Sequence, residues 1–414
     1  MLQKSTLEQY AMRQYLMRQC DRLDATLAAH RAPGRVTGGQ VGTHTITLYV
    51  QLAPHIRFAA ILRLEDDIAL ALQTPVTITR NQGQVIVTFS HPQPKDPDIY
   101  DLMKRTGTLP LTGFPLGYGQ SGTPLATRLS SPDACHILVA GATGSGKTEL
   151  LKSIAASQIL GQRRDLLRMA AIDFKGKFKP LQHAPQWVTL ARDLEAAYQL
   201  LARAIALMES RPVIEAQDTR LVILIDELMD LTLMPETSAK MVSSLAALLQ
   251  KGREAGIHVI AGTQYPGRAV LSGLMRANFP LRLVGKCASV DDARMAAGQG
   301  GSQAHFLNGK GDFLAIMGAT TKRFHSVLTP DNIEERCRAI AARGALAQIL
   351  PTVTPEALTG PQQPSDVQRL LQLMQERQRP PRSINEAGQW LDGEIPVSAR
   401  FYEVREAFQA VTGG

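Results

Sequence analysis

The segment His136–Ala156, HILVAGATGSGKTELLKSIAA, limits the fold more than any other stretch of the chain. An apolar run leads into a glycine-rich turn closed by Lys147-Thr148, and a helical pattern follows. Gly141-Ala142-Thr143-Gly144-Ser145-Gly146-Lys147-Thr148 fits the spacing GxxxxGK[ST], in the strand-before, helix-after context that this motif requires. Glycines let backbone N–H groups curl around phosphate oxygens, and the helix N-terminus adds partial positive charge. In such a loop Lys147 reaches the terminal phosphates of a nucleotide, and the Thr148 hydroxyl ligates Mg²⁺. ATP and Mg²⁺ are the expected ligands.

Two later segments extend this reading. LVILIDEL puts Asp226 and Glu227 at the end of a buried apolar strand. There Asp226 can hold Mg²⁺ through water and Glu227 can polarise an attacking water as general base. Adjacent carboxylates at a strand end are otherwise merely solvated, and it is the preceding loop that favours catalysis. HVIAGTQ is a strand ending in Thr263-Gln264, where an amide beside the γ-phosphate can sense that phosphate and pass the change to YPGRAVLSG. Without the other two motifs it would read as a strand capped by polar residues.

From residue 136 onward the strand-like runs HILVAG, RMAAIDF, LVILIDE, HVIAGT, LRLVGK and DFLAIM alternate with helical patterns. That alternation predicts an α/β domain with a mainly parallel sheet covered on both faces. Ahead of it, residues 1–32 read as an amphipathic helix, with Ser5 and Glu8 at capping-box spacing and Met12, Leu16, Leu23 and Leu27 on one stripe. RAPGRVTGG reads as a break. Residues 33–92 read as a small β-α-β-β domain whose last two strands turn at Asn81-Gln82-Gly83. The Pro/Gly/Ser-rich residues 93–132 read as a linker into the ATPase domain, 93–345, with a hairpin at PLGYGQSGTPLAT. Residues 346–414 read as a proline-rich linker and a tail of three short helices, SDVQRLLQLMQERQ, SINEAGQWL and SARFYEVREAFQAV.

With 414 residues the chain is long enough for two or three domains, and its net charge of +8 favours a polyanionic partner, since lysine and arginine release condensed counterions from phosphates. There is no run of eighteen or more apolar residues and no apolar signal-peptide core, so the expected location is cytoplasmic, with no membrane segment of the chain's own. The four cysteines, Cys20, Cys135, Cys287 and Cys337, lie far apart, which argues against a disulfide framework or zinc site and for small buried hydrophobes.

At this point the sequence resembles the FtsK/SpoIIIE-type DNA translocases of the wider FtsK-HerA class of P-loop motor ATPases. The resemblance covers roughly residues 40–330 and is carried by HILVAGATGSGKT, LVILIDELMDL, LLQKGREAGIHVIAGTQYP, LSGLMRANFPLRLVGKCASVDDAR and LNGKGDFL. It implies a RecA-like P-loop domain, and a homo-oligomeric ring, expected to be a hexamer, with ATP between subunits and double-stranded DNA in the channel. Arg253 in KGREAGI matches the arginine that such motors present to a neighbour's γ-phosphate. The loops after Gln264, with Tyr265 and Arg268, and around Arg294 match those facing DNA. Two positions depart from the family's pattern: Tyr265 stands where arginine is usual, and Val290 in CASVDDAR replaces a lysine. Arg268 and Lys286 are the candidates to compensate, and Lys310 reads as a solvated charge near a strand start.

The resemblance implies a DNA-stimulated ATPase that moves duplex DNA for segregation or transfer, with a plasmid or other mobile element slightly favoured as its context. A membrane-anchoring or DNA-processing partner would fit such a motor. Two alternatives stand beside it. A secretion ATPase would move protein with the same motor domain, and a non-motor switch would use nucleotide only to change partners.

Overall fold

The computed structural model describes residues 2–42, 45–81, 83–93, 98–120, 122–211, 213–215, 218–232, 238–267, 270–300, 302–344, 349–351, 373, 377, 381 and 383–392. Met1–Thr352 forms one compact unit and Val353–Gly414 another.

The first unit opens with the helix Leu2–Ala29, which starts before Ser5, so the Ser5/Glu8 pair does not mark its N-terminus. Leu23 and Leu27 are fully buried and Met12 and Leu16 pack beside them, which is the stripe read from the sequence. These residues share a core with the antiparallel sheet of β1 (Gly34–Val41), β2 (Thr45–Leu52), β3 (Val76–Asn81) and β4 (Gln84–Ser90), ordered β1-β2-β4-β3. Helix and sheet are thus one packed body rather than a helix followed by a domain. RAPGRVTGG does not break the structure but contains most of the edge strand β1, whose register shifts between Val36 and Gly38. A bulged edge strand tolerates glycines that would weaken a central one. The helical pattern after β2 becomes two short helices, Phe58–Leu62 and Glu65–Leu72. β3 and β4 pair antiparallel as expected, with Gln82 of their turn outside the described residues.

The second sheet has ten strands. They are β5 (Gly113–Gly119), β6 (Pro124–Arg128), β7 (Ile137–Ala140), β8 (Leu167–Ile172), β9 (Trp187–Ala191), β10 (Arg220–Ile225), β11 (Ile257–Thr263), β12 (Leu281–Val284), β13 (Asp312–Met317) and β14 (Thr320–Ser326). Their order is β6-β5-β14-β13-β12-β7-β11-β10-β8-β9. The six strands from β12 to β9 are parallel, and β13, β14, β5 and β6 add an antiparallel extension. DFLAIM therefore runs against β12. Alternate residues of the central strands feed two separate cores: Leu221, Ile223, Ile257 and Val259 face one side, Val222, Leu224 and Ile260 the other. Apolar side chains pointing both ways are the mark of a sheet covered on both faces.

The residues read as a linker belong to this sheet. They form the helix Ile99–Thr106 and the β5–β6 hairpin, with Phe114, Leu116 and Tyr118 buried. Glycine and proline there serve a strand that hugs its neighbour: a Cβ on Gly117 would lie 2.0 Å from the His325 carbonyl oxygen. Residues 94–97 of that stretch lie outside the described residues.

In the second unit the helix Ile384–Asp392 covers most of SINEAGQWL, and the Arg377 guanidinium lies 4.7 Å from the Trp390 ring centroid. Of SDVQRLLQLMQERQ only Leu373 and Arg377 are described, both helical, and SARFYEVREAFQAV lies outside the described residues. No helix among the described residues is long and apolar enough to cross a membrane. Cys135, Cys287 and Cys337 are buried, Cys20 is half-buried, and all four are free thiols.

Candidate nucleotide site

The parallel strands β7, β11 and β10 lie side by side and release their chains at one edge of the sheet. β7 ends in the phosphate loop. Gly144 (φ +80°) and Gly146 (φ +96°) take left-handed conformations that let successive N–H groups turn inward, and the helix Lys147–Gly161 starts directly afterwards. Among the described residues Ser145 is a fully enclosed hydroxyl without a protein partner. A curled run of amides ahead of a helix N-terminus suits a nucleotide phosphate.

β10 delivers Asp226 and Glu227 to this loop, and both are buried. The Thr148 hydroxyl donates to Asp226 Oδ1 at 3.0 Å, and Lys147 Nζ donates to Glu227 Oε2 at 2.9 Å. Burial pushes the Asp226 carboxyl above the usual carboxylate range, and the Asp173 carboxylate adds to this, against the lowering effects of Thr148 and Lys147. Two hard oxygen donors at the loop's mouth suit Mg²⁺, which takes few protein oxygens and keeps much of its water.

β11 runs between the other two strands, so Gln264 emerges between the phosphate loop and the acidic pair. Its backbone N–H donates to Glu227 Oε1 at 3.1 Å, and its side-chain Oε1 accepts from the Thr143 hydroxyl at 2.8 Å. Thr143, Gln264, Glu227 and Lys147 therefore form a hydrogen-bonded chain that starts and ends on the phosphate loop. Thr263 Oγ1 holds the next residue by accepting from Tyr265 N at 3.2 Å.

Other residues from the sequence reading stand apart. Arg253 is exposed in the turn before β11, at the opposite edge of the sheet. The seven residues of β11 separate it from Gln264, about 20 Å at about 3.3 Å per residue, so it cannot reach its own chain's phosphate loop. Tyr265 is 60% exposed, and Arg268 lies outside the described residues. Arg294 is exposed on the helix Val290–Ala297 rather than on a loop. Ser289 caps that helix by accepting from Asp292 N at 3.0 Å, a local signal the loop reading passed over.

Two groups escaped the sequence reading. Asp173, at the end of β8, accepts from Lys177 N (2.8 Å) and Phe178 N (2.7 Å), and Lys175 in that turn pairs with Asp230 at 3.2 Å beside the acidic strand end. The second is the turn Asn308–Asp312, which lies against the phosphate loop: Lys310 N donates to the Gly144 carbonyl at 3.1 Å and Gly311 N to the Ser145 carbonyl at 2.9 Å. The backbone of Lys310 is thus part of the loop's support, while its side chain is exposed.

Two family models match the chain, the FtsK alpha domain over residues 1–93 and the FtsK/SpoIIIE family over residues 104–219, which includes the phosphate loop. The chain belongs to the FtsK/SpoIIIE family. The FtsK alpha match coincides with the helix and four-stranded sheet that share one core. Among curated FtsK/SpoIIIE relatives, the DNA translocase FtsK of Halalkalibacterium halodurans is 28% identical over 387 residues, covering 82% of this chain and 47% of its own length. The DNA translocase SftA of Bacillus subtilis is 28% identical over 334 residues, covering 72% of this chain and 34% of its own. The chain thus spans less than half the length of either relative. Among solved structures, the pCW3 conjugation coupling protein TcpA, in monomer form with ATPgS, matches with a TM-score of 0.53 at 19% identity, covering 78% of this chain and 99% of that one. The cytoplasmic domain of the Thermomonospora curvata Type VII secretion ATPase EccC matches with a TM-score of 0.50 at 19% identity, covering 63% and 34%. Both likenesses are of fold.

Proposed function

We propose that this chain is an ATP-driven translocase of double-stranded DNA that works as a homo-oligomeric ring, with a hexamer as the expected size. One observation carries the hydrolytic part: Thr148 meets Asp226 and Lys147 meets Glu227 at the mouth of the phosphate loop. Residues Gly141 to Thr148 cradle the phosphates, and Thr148 and Asp226 hold Mg²⁺, which supplies charge neutralisation for the leaving phosphate. Glu227 polarises the attacking water once ATP draws Lys147 away from it. Gln264 senses the γ-phosphate, and Arg253, too far from its own site, serves the neighbouring subunit's. A phosphate loop with a buried base beside it favours hydrolysis over a binding switch.

Kinship and charge favour DNA as the cargo. The curated relatives carry the name DNA translocase, and the net charge of +8 suits a polyanion. Tyr265 follows β11 and Arg294 lies on the helix after β12, both strands that end at the sheet edge of the phosphate loop, and with Arg268 they are the proposed duplex contacts. The fold shared with a secretion ATPase keeps protein cargo as the second reading. ATPase rate measured with and without long duplex DNA separates the two. Several-fold stimulation by duplex is expected, and a rate indifferent to DNA would turn the proposal toward protein cargo.

A further inference from the structure

Gly309 (φ +78°), Lys310 (φ +48°) and Gly311 (φ +96°) stand in the left-handed region one after another. Glycine takes that conformation without steric cost, whereas a lysine is strained in it. The strain is held in place from below. Asp312 is buried, accepts from Asn308 N at 3.0 Å and closes the turn, and it binds the Arg323 guanidinium through both oxygens, at 2.9 Å and 2.6 Å. A fork-to-fork pair of this kind fixes direction as well as distance.

From above, the turn grips the phosphate loop through the carbonyls of Gly144 and Ser145. The fit is close, since a Cβ on Gly146 would lie 2.7 Å from Gly311 N. With both its neighbours glycine, position 310 would be served most cheaply by a third glycine, which would give the same turn and the same N–H donor. What lysine adds is an exposed ammonium on a flexible stem, beside the glycines of the phosphate loop. The Lys286 side chain runs along the same turn, within 3.7 Å of where a Gly309 Cβ would be. Two lysines beyond Lys147 therefore border the loop, and Lys310 is the one that the backbone is strained to present.

We propose that Lys310 is a second phosphate-contacting lysine of the nucleotide site, held at the rim of the phosphate loop by the Asn308–Asp312 turn. This rests on the reading of that loop as an ATP site. Its chemistry is that of a point charge for nucleotide phosphate oxygens, acting in the same chain as Lys147.

The test uses the full chain and titrates Mg-ATP into the parent, Lys310→Gly and Lys310→Arg by calorimetry, with melting temperatures recorded alongside. Lys310→Gly keeps the turn and both N–H donors and removes only the ammonium. It is expected to melt no lower than the parent and to bind Mg-ATP about tenfold more weakly, the scale of a charge-assisted hydrogen bond. Lys310→Arg restores the charge and is expected to recover most of the affinity. Equal affinity of parent and Lys310→Gly would overturn the assignment and leave Lys310 as a surface charge on a supporting turn. A parent that binds no Mg-ATP would overturn the ATP reading itself, and this assignment with it.

Discussion

Glu227 is engaged at both oxygens, Oε2 by the Lys147 ammonium and Oε1 by the Gln264 backbone N–H. In the proposed mechanism a base so occupied polarises water only once the terminal phosphates of ATP compete for the lysine. Lys147→Ala is expected to abolish nucleotide binding. Glu227→Gln is expected to keep binding and lose about 10² to 10⁴ in hydrolysis rate, the usual worth of a general base. Equilibrium binding beside single-turnover hydrolysis separates the two, and normal turnover by Glu227→Gln would remove it from the base role. The residues of this network were legible because each sits at a short, characteristic spacing next to an apolar strand. The contact of Lys310 and Gly311 with the loop, and the Asp312–Arg323 pair that braces their turn, were not, because they form only once the β13–β14 hairpin has paired with β12. Glycine, lysine, glycine in LNGKGDFL was the available signal, a lysine where a left-handed turn prefers none.

At the scale of elements, β7 and β11 meet backbone to backbone only from Ile137 and Ile260 onward, and two buried histidines close the ladder beneath. The His136 Nδ1 accepts from Val259 N at 3.1 Å, and the His258 Nδ1 donates to the Cys135 carbonyl at 3.0 Å. Burial lowers His136 to about 3, helped by His258, and lowers His258 to about 4 against the bond to Cys135, with Arg220 and Arg253 adding to the lowering. Both rings are neutral in the folded chain at neutral pH. An unfolded histidine takes up its proton near pH 6.5, so the stability they lend is complete above that value and is lost as pH falls toward 4. The expected slope is about 1.4 kcal/mol per pH unit for each ring. Urea midpoints between pH 7 and pH 5 test this in the parent and in a His136→Gln/His258→Gln variant, and equal slopes for the two would dismiss the pair as the source. Strands with unbroken apolar runs were readable, since nothing else suits a two-faced sheet. The β5–β6 hairpin was read within the linker but not as part of the large sheet, and β1 and β14 were missed, because edge and extension strands carry the glycines, prolines and charges that sequence patterns assign to loops.

At the scale of the whole molecule, the phosphate loop and Arg253 occupy opposite edges of one sheet. In the proposed ring a subunit built this way would supply half of a site at each end. Arg253→Ala is expected to bind ATP and to hydrolyse it about 10³ to 10⁵ more slowly, the range seen for arginine fingers. Mixed with Glu227→Gln it should recover part of the activity at boundaries that join an intact arginine to an intact base, and no recovery in rings shown to exchange subunits would return Arg253 to a structural role. Arg268→Ala/Arg294→Ala is expected to weaken duplex binding equally across sequences and to reduce the salt slope by about one unit per lost contact, because a motor that passes any sequence grips backbone rather than bases. An unchanged slope with parental translocation would send the DNA path elsewhere. Neither a ring nor a cargo can be read from periodicity, which records only what each chain buries in itself.

The turn that carries Arg253 has little freedom. A Cβ on Gly252 would lie 2.4 Å from the Leu248 carbonyl oxygen, one on Gly256 (φ +70°) would lie 1.9 Å from Ile214 Cδ1, and Ile214 N donates to the Glu254 carbonyl at 2.8 Å. The backbone that carries the exposed Arg253 side chain is therefore held to the domain around it. In the proposed ring the engagement of each finger then reports the angle between neighbouring ATPase domains, and hydrolysis at one boundary is felt as a change of that angle.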